Sequence, residues 1–480
     1  MVTNEYSCWQ TPPLDIMENI LQRVNLGDRI RLRNSCKYWK SIVMRRDIPG
    51  APHELPWLLL PQAPKCSNKC LSFASLTERK EVKLKLPKEV RGSWIYGSWK
   101  GWLIMVKEKG LQSTMCLLNP ISGALHKLPP LRTIPSFKKI VKTRQWKRFG
   151  ASTFLWYVAL LTPHDLNSSG HFTVAIIFED FKGQKTLGLC KLEDLTWSLF
   201  RVFDNKDRLE LVDILFSRGI LYALVDSQKD GLVAATRVLN FADHGVKLKL
   251  IHDKQEHKNV RIDDLNSDYP RVSNANYRSM LLESTSNEVL VIHQMVDYVL
   301  CRDGAGDIND IEEDDGNIIV DNQEGVDQDN DGDEGNHEND HEESNLEANN
   351  QDGGEIDDVE YVIDEDAPGF NPHVTTRSFR VYKIDPNNNN LLPVQNLGDQ
   401  VFFLGDGAGS VSLPSGNFPE VKRNCIYFAT NYVWNEELSP KTYRSREIGI
   451  FYLDGERIRR PFSSVKILLS YRATWFTPSL

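Results

Sequence analysis

One stretch of the chain has the residue spacing of an EF-hand calcium loop. Residues 327–338 read D-x-D-x-D-G with a Glu at the twelfth position, and carboxylates at these positions supply the oxygen ligands that Ca²⁺ prefers. An EF-hand also needs flanking amphipathic helices and usually an apolar eighth residue, which here is Glu334. In a segment this rich in Asp the pattern arises easily by chance, so we predict no specific calcium site.

A glycine-rich segment, 405–409, has the composition of a phosphate-binding loop. It follows the apolar run 401–404 and leads to 411–413, a short strand-like segment, instead of to a helix. A phosphate site of this kind depends on a helix N-terminus that points its N–H groups at the anion. The segment is therefore interpreted as a turn between two strands.

Basic side chains are concentrated between residues 138 and 148, with Trp146 and Phe149 beside them: Lys138, Lys139, Lys142, Arg144, Lys147 and Arg148. Such clusters occur in solvated loops, in nuclear import signals and in nucleic-acid-binding surfaces. A further alternative is that the cluster docks the chain's own acidic insert, described below, whose charge it complements. We favour a solvated loop of the large domain, with nuclear import as the better functional alternative.

The chain offers no arrangement of residues typical of an active site. Its eleven histidines are dispersed, and no nucleophile elbow, Walker motif or zinc-protease motif occurs. The eight cysteines are scattered, and the close pair Cys66 and Cys70 has no second pair at metal-ligand spacing. We therefore predict a non-catalytic protein with reduced thiols, no cofactor and no metal.

The first forty-odd residues have the pattern of three short helices. Prolines favour a helix start just before an apolar stripe that runs from Ile16 to Val24. We expect a second helix with Asp28 as its N-cap and a third with apolar residues between Cys36 and Val43. Three helices this short bury little surface by themselves, and such modules usually pack on a partner.

The order of these residues resembles the F-box, which docks substrate receptors onto the Skp1 adaptor of cullin-RING ubiquitin ligases. The matching segments are 13–17, 20–21, 28–33 and 36–40. The resemblance implies adaptor contacts at Pro13, Leu14, Ile16, Ile20, Leu21, Leu32 and Trp39. Pro12 and Ser35 stand where the family usually has Leu and Val. Each change removes apolar area worth about 1–2 kcal/mol if buried, so we expect weaker adaptor binding than is typical.

Charge is distributed unevenly along the 480 residues, whose formal net charge is -9. Residues 303–366 hold 27 of the 66 Asp and Glu residues, and no Lys or Arg lies between Arg302 and Arg377, so the rest of the chain is basic. The acidic stretch is almost empty of aromatic residues and cannot bury enough apolar surface to offset the entropy lost on ordering. We predict a disordered insert between two strands of the large domain.

Short β-branched and aromatic runs, separated by Gly, Asn, Asp and Pro, dominate the remainder: 101–106, 172–178, 187–192, 220–225, 289–292, 401–404, 425–428 and 448–453. No helical pattern alternates with them, which argues against a parallel βαβ sheet. A basic residue, a Gly and an apolar strand recur at 100–103 and 218–221. Hairpins repeated many times in this way predict a β-propeller.

Several short motifs resemble the plant F-box family whose C-terminal region is the KIB-type β-propeller: segments 55–61, 97–103, 118–123, 128–131 and 424–428. The resemblance implies a multidomain protein in which a small all-α F-box precedes an all-β propeller. The expected boundaries are 9–48 for the F-box, 51–302 and 367–480 for the propeller, and 303–366 for the insert. The propeller region has room for six to eight blades of roughly 45–50 residues.

We interpret the chain as the substrate-recognition subunit of an SCF-type ubiquitin ligase. It would bind a Skp1-like adaptor, and through it a cullin, while one rim of the propeller binds a substrate protein whose contact residues the sequence does not reveal. The alternatives are a propeller scaffold or transcription-related interaction protein and, less favoured, a propeller enzyme. With no visible signal peptide and no apolar run of membrane length, we expect a cytoplasmic or nuclear protein without membrane or nucleic-acid partners.

Overall fold

The computed structural model describes the helical and strand-rich parts of the chain. These are residues 13–24, 26–43, 54–60, 69–77, 80–161, 172–180, 183–203, 209–227, 238–241, 245–253, 261–263, 271–273, 277–302, 370–385, 390–406, 409–434, 443–460 and 474–478. Residues 1–301 with 371–480 form one compact unit, and 302–370 are a second. The predicted acidic insert, its EF-hand-like pattern and the predicted boundary between residues 48 and 51 lie outside the described residues.

Three short helices open the described chain, as the apolar spacing predicts: α1 Leu14–Arg23, α2 Leu26–Ser35 and α3 Lys37–Val43. The prediction that Asp28 caps α2 is wrong, because the helix begins at Leu26. Asp28 lies instead in the first turn, where its negative charge interacts favourably with the helix dipole. The Asp28 carboxylate also accepts a hydrogen bond from Arg31 at 2.5 Å. Two further short helices lie within the large domain, α4 Phe137–Ile140 and α5 Arg144–Phe149.

Most of the described residues after α3 lie in strands. In chain order they are β1 Trp57–Leu59, β2 Cys70–Ser75, β3 Lys80–Lys85, β4 Trp94–Trp99, β5 Trp102–Lys107, β6 Thr114–Leu118, β7 Leu125–Lys127, β8 Leu155–Leu161, β9 Thr173–Glu179, β10 Lys185–Lys191, β11 Ser198–Phe200, β12 Leu209–Ser217, β13 Ile220–Ser227, β14 Val238–Phe241, β15 Val246–Asp253, β16 Arg261–Asp263, β17 Arg271–Ser273, β18 Tyr277–Glu283, β19 Val289–Arg302, β20 Phe370–Ile384, β21 Leu391–Val394, β22 Gln400–Leu404, β23 Val411–Pro414, β24 Cys425–Trp434, β25 Tyr443–Tyr452, β26 Arg457–Arg459 and β27 Trp475–Phe476.

These strands form six sheets, the blades of a six-bladed β-propeller. Blade 1 has the strand order β27-β1-β2-β3, blade 2 β4-β5-β6-β7, blade 3 β8-β9-β10-β11, blade 4 β12-β13-β15-β14, blade 5 β18-β19-β20-β21 with β16 and β17 beside the far half of β19, and blade 6 β23-β22-β24-β25-β26. The predicted propeller is confirmed, at the lower end of the predicted range of blades. Blades 4 and 6 each contain one parallel pair, β13 with β15 and β22 with β24.

Apolar clusters fill the space between successive blades. One cluster joins blades 1 and 2, and others join blades 2 and 3, 3 and 4, 4 and 5, and 5 and 6. A further cluster packs Val401 and Phe403 of blade 6 against Leu58 and Trp475 of blade 1. The ring of blades is therefore closed by side-chain packing of the same kind at every seam.

Strand β27 closes the ring, because it pairs with β1 and so completes blade 1. The Leu59 N–H donates to the Thr474 carbonyl at 3.0 Å. Trp475 is 1% exposed, its indole N–H donates to the Leu404 carbonyl of blade 6 at 3.0 Å, and its own carbonyl accepts from the Ser98 hydroxyl of blade 2. One residue thus joins three blades.

The predicted insert leaves and re-enters a single blade. It begins after β19 and ends before β20, and these two strands are hydrogen-bonded neighbours in blade 5. The segment 405–409, predicted as a turn, lies between β22 and β23, which pair antiparallel, so this prediction is confirmed. The repeated basic-Gly motif forms left-handed turns at Lys100 (φ 42°) with Gly101 (φ 85°) and at Arg218 (φ 49°) with Gly219 (φ 74°), as two-residue hairpin turns require.

We predict that Trp475→Ala lowers the free energy of unfolding by about 3–5 kcal/mol, because the change empties a buried aromatic site at the seam that closes the ring. Trp475→Phe keeps most of the packing and loses the hydrogen bond to Leu404, for a smaller loss of about 1 kcal/mol. Urea unfolding followed by tryptophan fluorescence measures both, with the exposed Leu195→Ala as a control. Equal stability of the two variants would show that the indole does not hold the seam.

Deletion of residues 305–365 is expected to change the free energy of unfolding by no more than about 1 kcal/mol, because loop-closure entropy varies slowly with loop length. The neighbouring strands β19 and β20 can then be joined by a short loop. Thermal unfolding of the full and the shortened chain measures the difference. Insoluble protein after the deletion would mean that the insert packs against the rest of the chain.

Candidate functional site

The three N-terminal helices share a small apolar core. Met17 and Leu21 of α1 pack against Ile42 and Val43 of α3, and all four are buried. The Arg29 guanidinium of α2 donates to the Leu21 carbonyl at the end of α1, and burial lowers the pKa of Arg29. This core fixes the three helices into one module.

The apolar stripe of α1 is wider than the other helices can cover. Leu14 is 37% exposed and Ile16 47%, Pro13 is exposed and Ile20 is half-buried. Leu21, by contrast, is 1% exposed. Uncovered apolar side chains beside a packed core are typical of surfaces that bind another protein.

The seven positions predicted to contact an adaptor therefore divide into two groups. Pro13, Leu14, Ile16 and Ile20 form an accessible surface on α1, which we call the α1 surface. Leu21 belongs to the helical core, and Leu32 and Trp39 are half-buried against that core. The adaptor contacts stay a prediction, and the structure indicates which of these side chains are free to make them.

Ser35, one of the two departures from the F-box pattern, is exposed at the end of α2. Its hydroxyl donates to the Leu32 carbonyl at 2.7 Å. A small polar residue here costs no packing inside the helical module, so any loss of apolar area would fall on a partner interface. Pro12 lies outside the described residues.

Arg33 joins the helical module to the propeller. Its guanidinium donates to the Ile121 carbonyl in the turn between β6 and β7, and burial lowers the pKa of Arg33. The Asn119 side-chain oxygen accepts from Ile121 N at 3.0 Å and from Ser122 N at 2.9 Å, and Gly123 has φ 77°. Asn119 thereby holds the turn in the shape that presents the Ile121 carbonyl to Arg33.

The strand pairing defines two faces of the propeller at blades 2 and 3. Antiparallel strands alternate in direction, so the β4–β5 turn at 100–101 and the β6–β7 turn at 119–124 lie on one face, which we call the proximal face. The end at which β4 begins and β5 ends lies on the opposite, distal face. β8 begins at that face too, because Ala151, which shortly precedes β8, donates to Glu108, which follows β5. Because Arg33 binds the turn at 119–124, the helical module attaches at the proximal face.

The basic cluster predicted as a solvated loop contains two helices of the propeller. The chain from β7 to β8 carries α4 and α5, and the start of β8 places it on the distal face. Phe137, Ile140 and Trp146 are buried in the seam of blades 2 and 3, with Phe137 and Trp146 edge to face at 5.2 Å between ring centroids. Trp146 is therefore a core residue, whereas the basic side chains described for α4 and α5 are exposed.

A small cavity and the buried Asp213 carboxylate lie where blades 2 to 5 meet. A cavity of about 20 Å³ lies between Trp99, Leu160, Phe216 and Leu281, room for about one water molecule. The Asp213 carboxylate accepts from Ile214 N at 2.8 Å and from Leu281 N at 2.7 Å, which joins blade 4 to blade 5. Burial raises the pKa of Asp213 to about 7.

Two further observations concern the described residues only. They contain no group of three or more His, Cys, Asp or Glu side chains placed to hold a metal ion. No helix among them has both the length and the apolar character that crossing a bilayer would require.

The sequence matches two protein-family profiles over the regions that the fold separates. Residues 73–452 match the KIB1-4 beta-propeller, and residues 13–49 match the F-box domain. The chain belongs to the KIB1-4 β-propeller family. Its KIB-type propeller comprises the six blades, and its F-box comprises α1 to α3, as the sequence motifs imply.

Two curated relatives, both from Arabidopsis thaliana, resemble parts of this KIB-type chain. A putative F-box protein is 31% identical over 102 residues, which are 21% of this chain and 25% of the relative. An F-box/kelch-repeat protein is 28% identical over 225 residues, which are 46% of this chain and 55% of the relative. The chain thus spans between a quarter and about half of the length of these relatives.

Proposed function

We propose that this protein is the substrate-recognition subunit of an SCF-type cullin-RING ubiquitin ligase. In this proposal the F-box binds a Skp1-like adaptor, and through it a cullin, and the propeller binds a substrate protein. The observation that carries the proposal is the α1 surface, where Leu14 and Ile16 stay uncovered in a helical module that is fixed to a closed propeller. An adaptor that covers this surface would complete the helical core.

The role of such a subunit is positional. Holding a substrate lysine near a thioester on another protein raises the rate of transfer by proximity and needs no nucleophile from the receptor. Burial raises the pKa of Cys116 to about 12 and that of Cys190 well above its usual range, so neither thiol is poised for attack.

The attachment through Arg33 also supports a receptor. A substrate held by the propeller has a defined position relative to the adaptor only if the F-box and the propeller keep a fixed orientation. The hydrogen bond from Arg33 to Ile121 and the turn shaped by Asn119 provide such a connection. We further propose a cytoplasmic or nuclear location, which a fluorescent fusion would report.

The second candidate is a propeller scaffold that no longer assembles a ligase. The departures at Pro12 and Ser35 favour it, because they reduce the apolar area available to an adaptor. The two candidates differ in one measurement, since only the ligase subunit copurifies with Skp1 and a cullin through α1.

We predict that Leu14→Asp with Ile20→Asp abolishes copurification of Skp1, because charges buried in an apolar interface cost several kcal/mol. Ile20 is half-buried, so Leu14→Asp with Ile16→Asp serves as a second variant that changes exposed residues only. Asn19→Asp adds a charge at another exposed position of α1 and is the matched control. Retention of Skp1 by both double variants, with the propeller folded, would show that α1 does not face the adaptor.

A protein reduced to residues 51–480 is expected to act as a trap. It keeps all six blades and lacks the F-box, so it should bind the substrate without leading to its ubiquitination. Binding without transfer protects the substrate and competes with the intact receptor, so overexpression should lengthen the substrate half-life in a cycloheximide chase. If partners captured by the propeller turn over at the same rate with intact and truncated protein, the ligase proposal fails.

A further inference from the structure

The distal face carries a dense basic surface that is built into the fold. The side chains of Lys138, Lys139, Lys142, Arg144 and Lys147 are exposed on α4 and α5. The apolar residues between them are buried in the seam of blades 2 and 3, so the two helices cannot turn their charges inward. We call the five exposed side chains the basic surface.

The basic surface is anchored to blade 2. The Glu108 carboxylate, which follows β5, accepts from Ala151 N at 2.7 Å, immediately after α5. Gly150 has φ 62°, and a side chain at that position would collide with Glu108. The Thr143 hydroxyl caps α5 by accepting from Trp146 N at 3.2 Å. The charges therefore have a fixed place relative to the strand ends of the distal face.

Two large aromatic side chains lie exposed where inner strands begin on the same face. Trp94 is 39% exposed at the start of β4, and Trp156 is 38% exposed near the start of β8. The register of β8 with β9 shifts between Leu155 and Tyr157, so Trp156 lies on a bulge. Bulges re-aim side chains, often beside functional sites, and exposed Trp is enriched among residues that dominate binding energy.

Trp156 is flanked by one lysine and two glutamates. Lys185 Nζ lies 4.2 Å from the centroid of the Trp156 ring and pairs with Glu210. Glu179 is hydrogen-bonded to Trp156, and burial raises the pKa of Glu179. The surroundings of Trp156 therefore offer an aromatic contact without an excess of positive charge.

We propose that the substrate binds at the distal face, and that it presents an acidic segment to the basic surface and an adjacent apolar side chain to Trp156. This inference rests on the proposal that the propeller is a substrate receptor. Arg33 attaches the F-box at the proximal face, on the side of blade 2 opposite to the basic surface.

The observations favour a protein segment over a nucleic acid. Nucleic-acid binding combines basic residues with aromatic rings that stack on bases. Trp146, which lies among the basic side chains of α5, is buried, and the exposed ring of Trp156 lies beside carboxylates. Glu179 and Glu210 beside Trp156 would repel the evenly charged phosphate backbone. An acidic peptide segment that ends in an apolar residue avoids both difficulties.

The test uses the purified full chain and two fluorescein-labelled probes, a poly-glutamate peptide and the same peptide extended by Phe-Leu. A triple variant with Lys138→Glu, Lys142→Glu and Lys147→Glu should bind both probes roughly tenfold more weakly, or weaker still, at low salt. Fluorescence anisotropy measures the affinities. The matched control variant replaces Lys80, Lys247 and Lys383 by Glu. These exposed lysines lie in three other blades, so the affinity for both probes should not change. Replacement of the same three α4–α5 lysines by Gln provides a milder variant if charge reversal prevents folding.

Trp156→Ala should weaken binding of the extended probe and leave the plain poly-glutamate probe unchanged, whereas Trp156→Phe should keep both affinities. The inference is overturned if the control triple variant loses as much affinity as the α4–α5 variant, or if Trp156→Ala weakens both probes equally. It is also overturned if a single-stranded oligonucleotide of equal charge binds more tightly than the extended peptide. Skp1 copurification is scored on the same preparations, so loss of the adaptor from the wild type contradicts the ligase proposal separately from the peptide result.

Discussion

The pairing of β27 with β1 holds the rest of the propeller in place. A ring of blades that pack face against face has one open seam unless its ends are joined, and the two blade faces at that seam would expose apolar surface to water. Trp475 closes the ring by occupying the seam of blades 6 and 1 while its backbone accepts from Ser98 in blade 2. The orientation of every other blade depends on this junction.

The F-box module depends on the ring for its position but not for its core. Met17 and Leu21 pack within the helices, whereas Arg33 reaches a carbonyl in blade 2. Because the propeller is rigid, the hydrogen bond from Arg33 to the loop shaped by Asn119 is enough to define the position of α1. Opposite this attachment, blades 2 and 3 present α4 and α5 through the anchor at Glu108.

The sequence predicted the elements better than it predicted their contacts. Segments such as 220–225 and 425–428 are strands in the structure, because short β-branched runs between turn residues are a strong local signal. The two left-handed turns at Lys100 and Arg218 were visible as a repeated motif. The start of α2 was predicted at the wrong residue because Asp is favoured both at an N-cap and in the first turn of a helix.

Contacts between distant residues had no local signal. The buried Glu447, whose pKa is raised by burial, accepts from Thr376 at 2.7 Å and from Arg460 at 2.9 Å and thereby joins blades 5 and 6. No pattern of residue spacing in the sequence predicts the contact of Glu447 with Thr376. For the candidate site, the apolar stripe of α1 was predictable from the sequence. The burial of Leu21 and the exposure of Trp156 were not, because they depend on which residues of other elements pack against these side chains.

The separation in sequence between Ser98 and Trp475, 377 residues, has a consequence for biosynthesis. The ring cannot close until β27 has left the ribosome, whereas α1 to α3 emerge first and form their core from local contacts. During translation an adaptor could meet a finished F-box on a nascent chain whose receptor is still open. A partial product that lacks β27 would then carry a competent α1 surface together with exposed apolar seams, which are the features that chaperones and proteases detect.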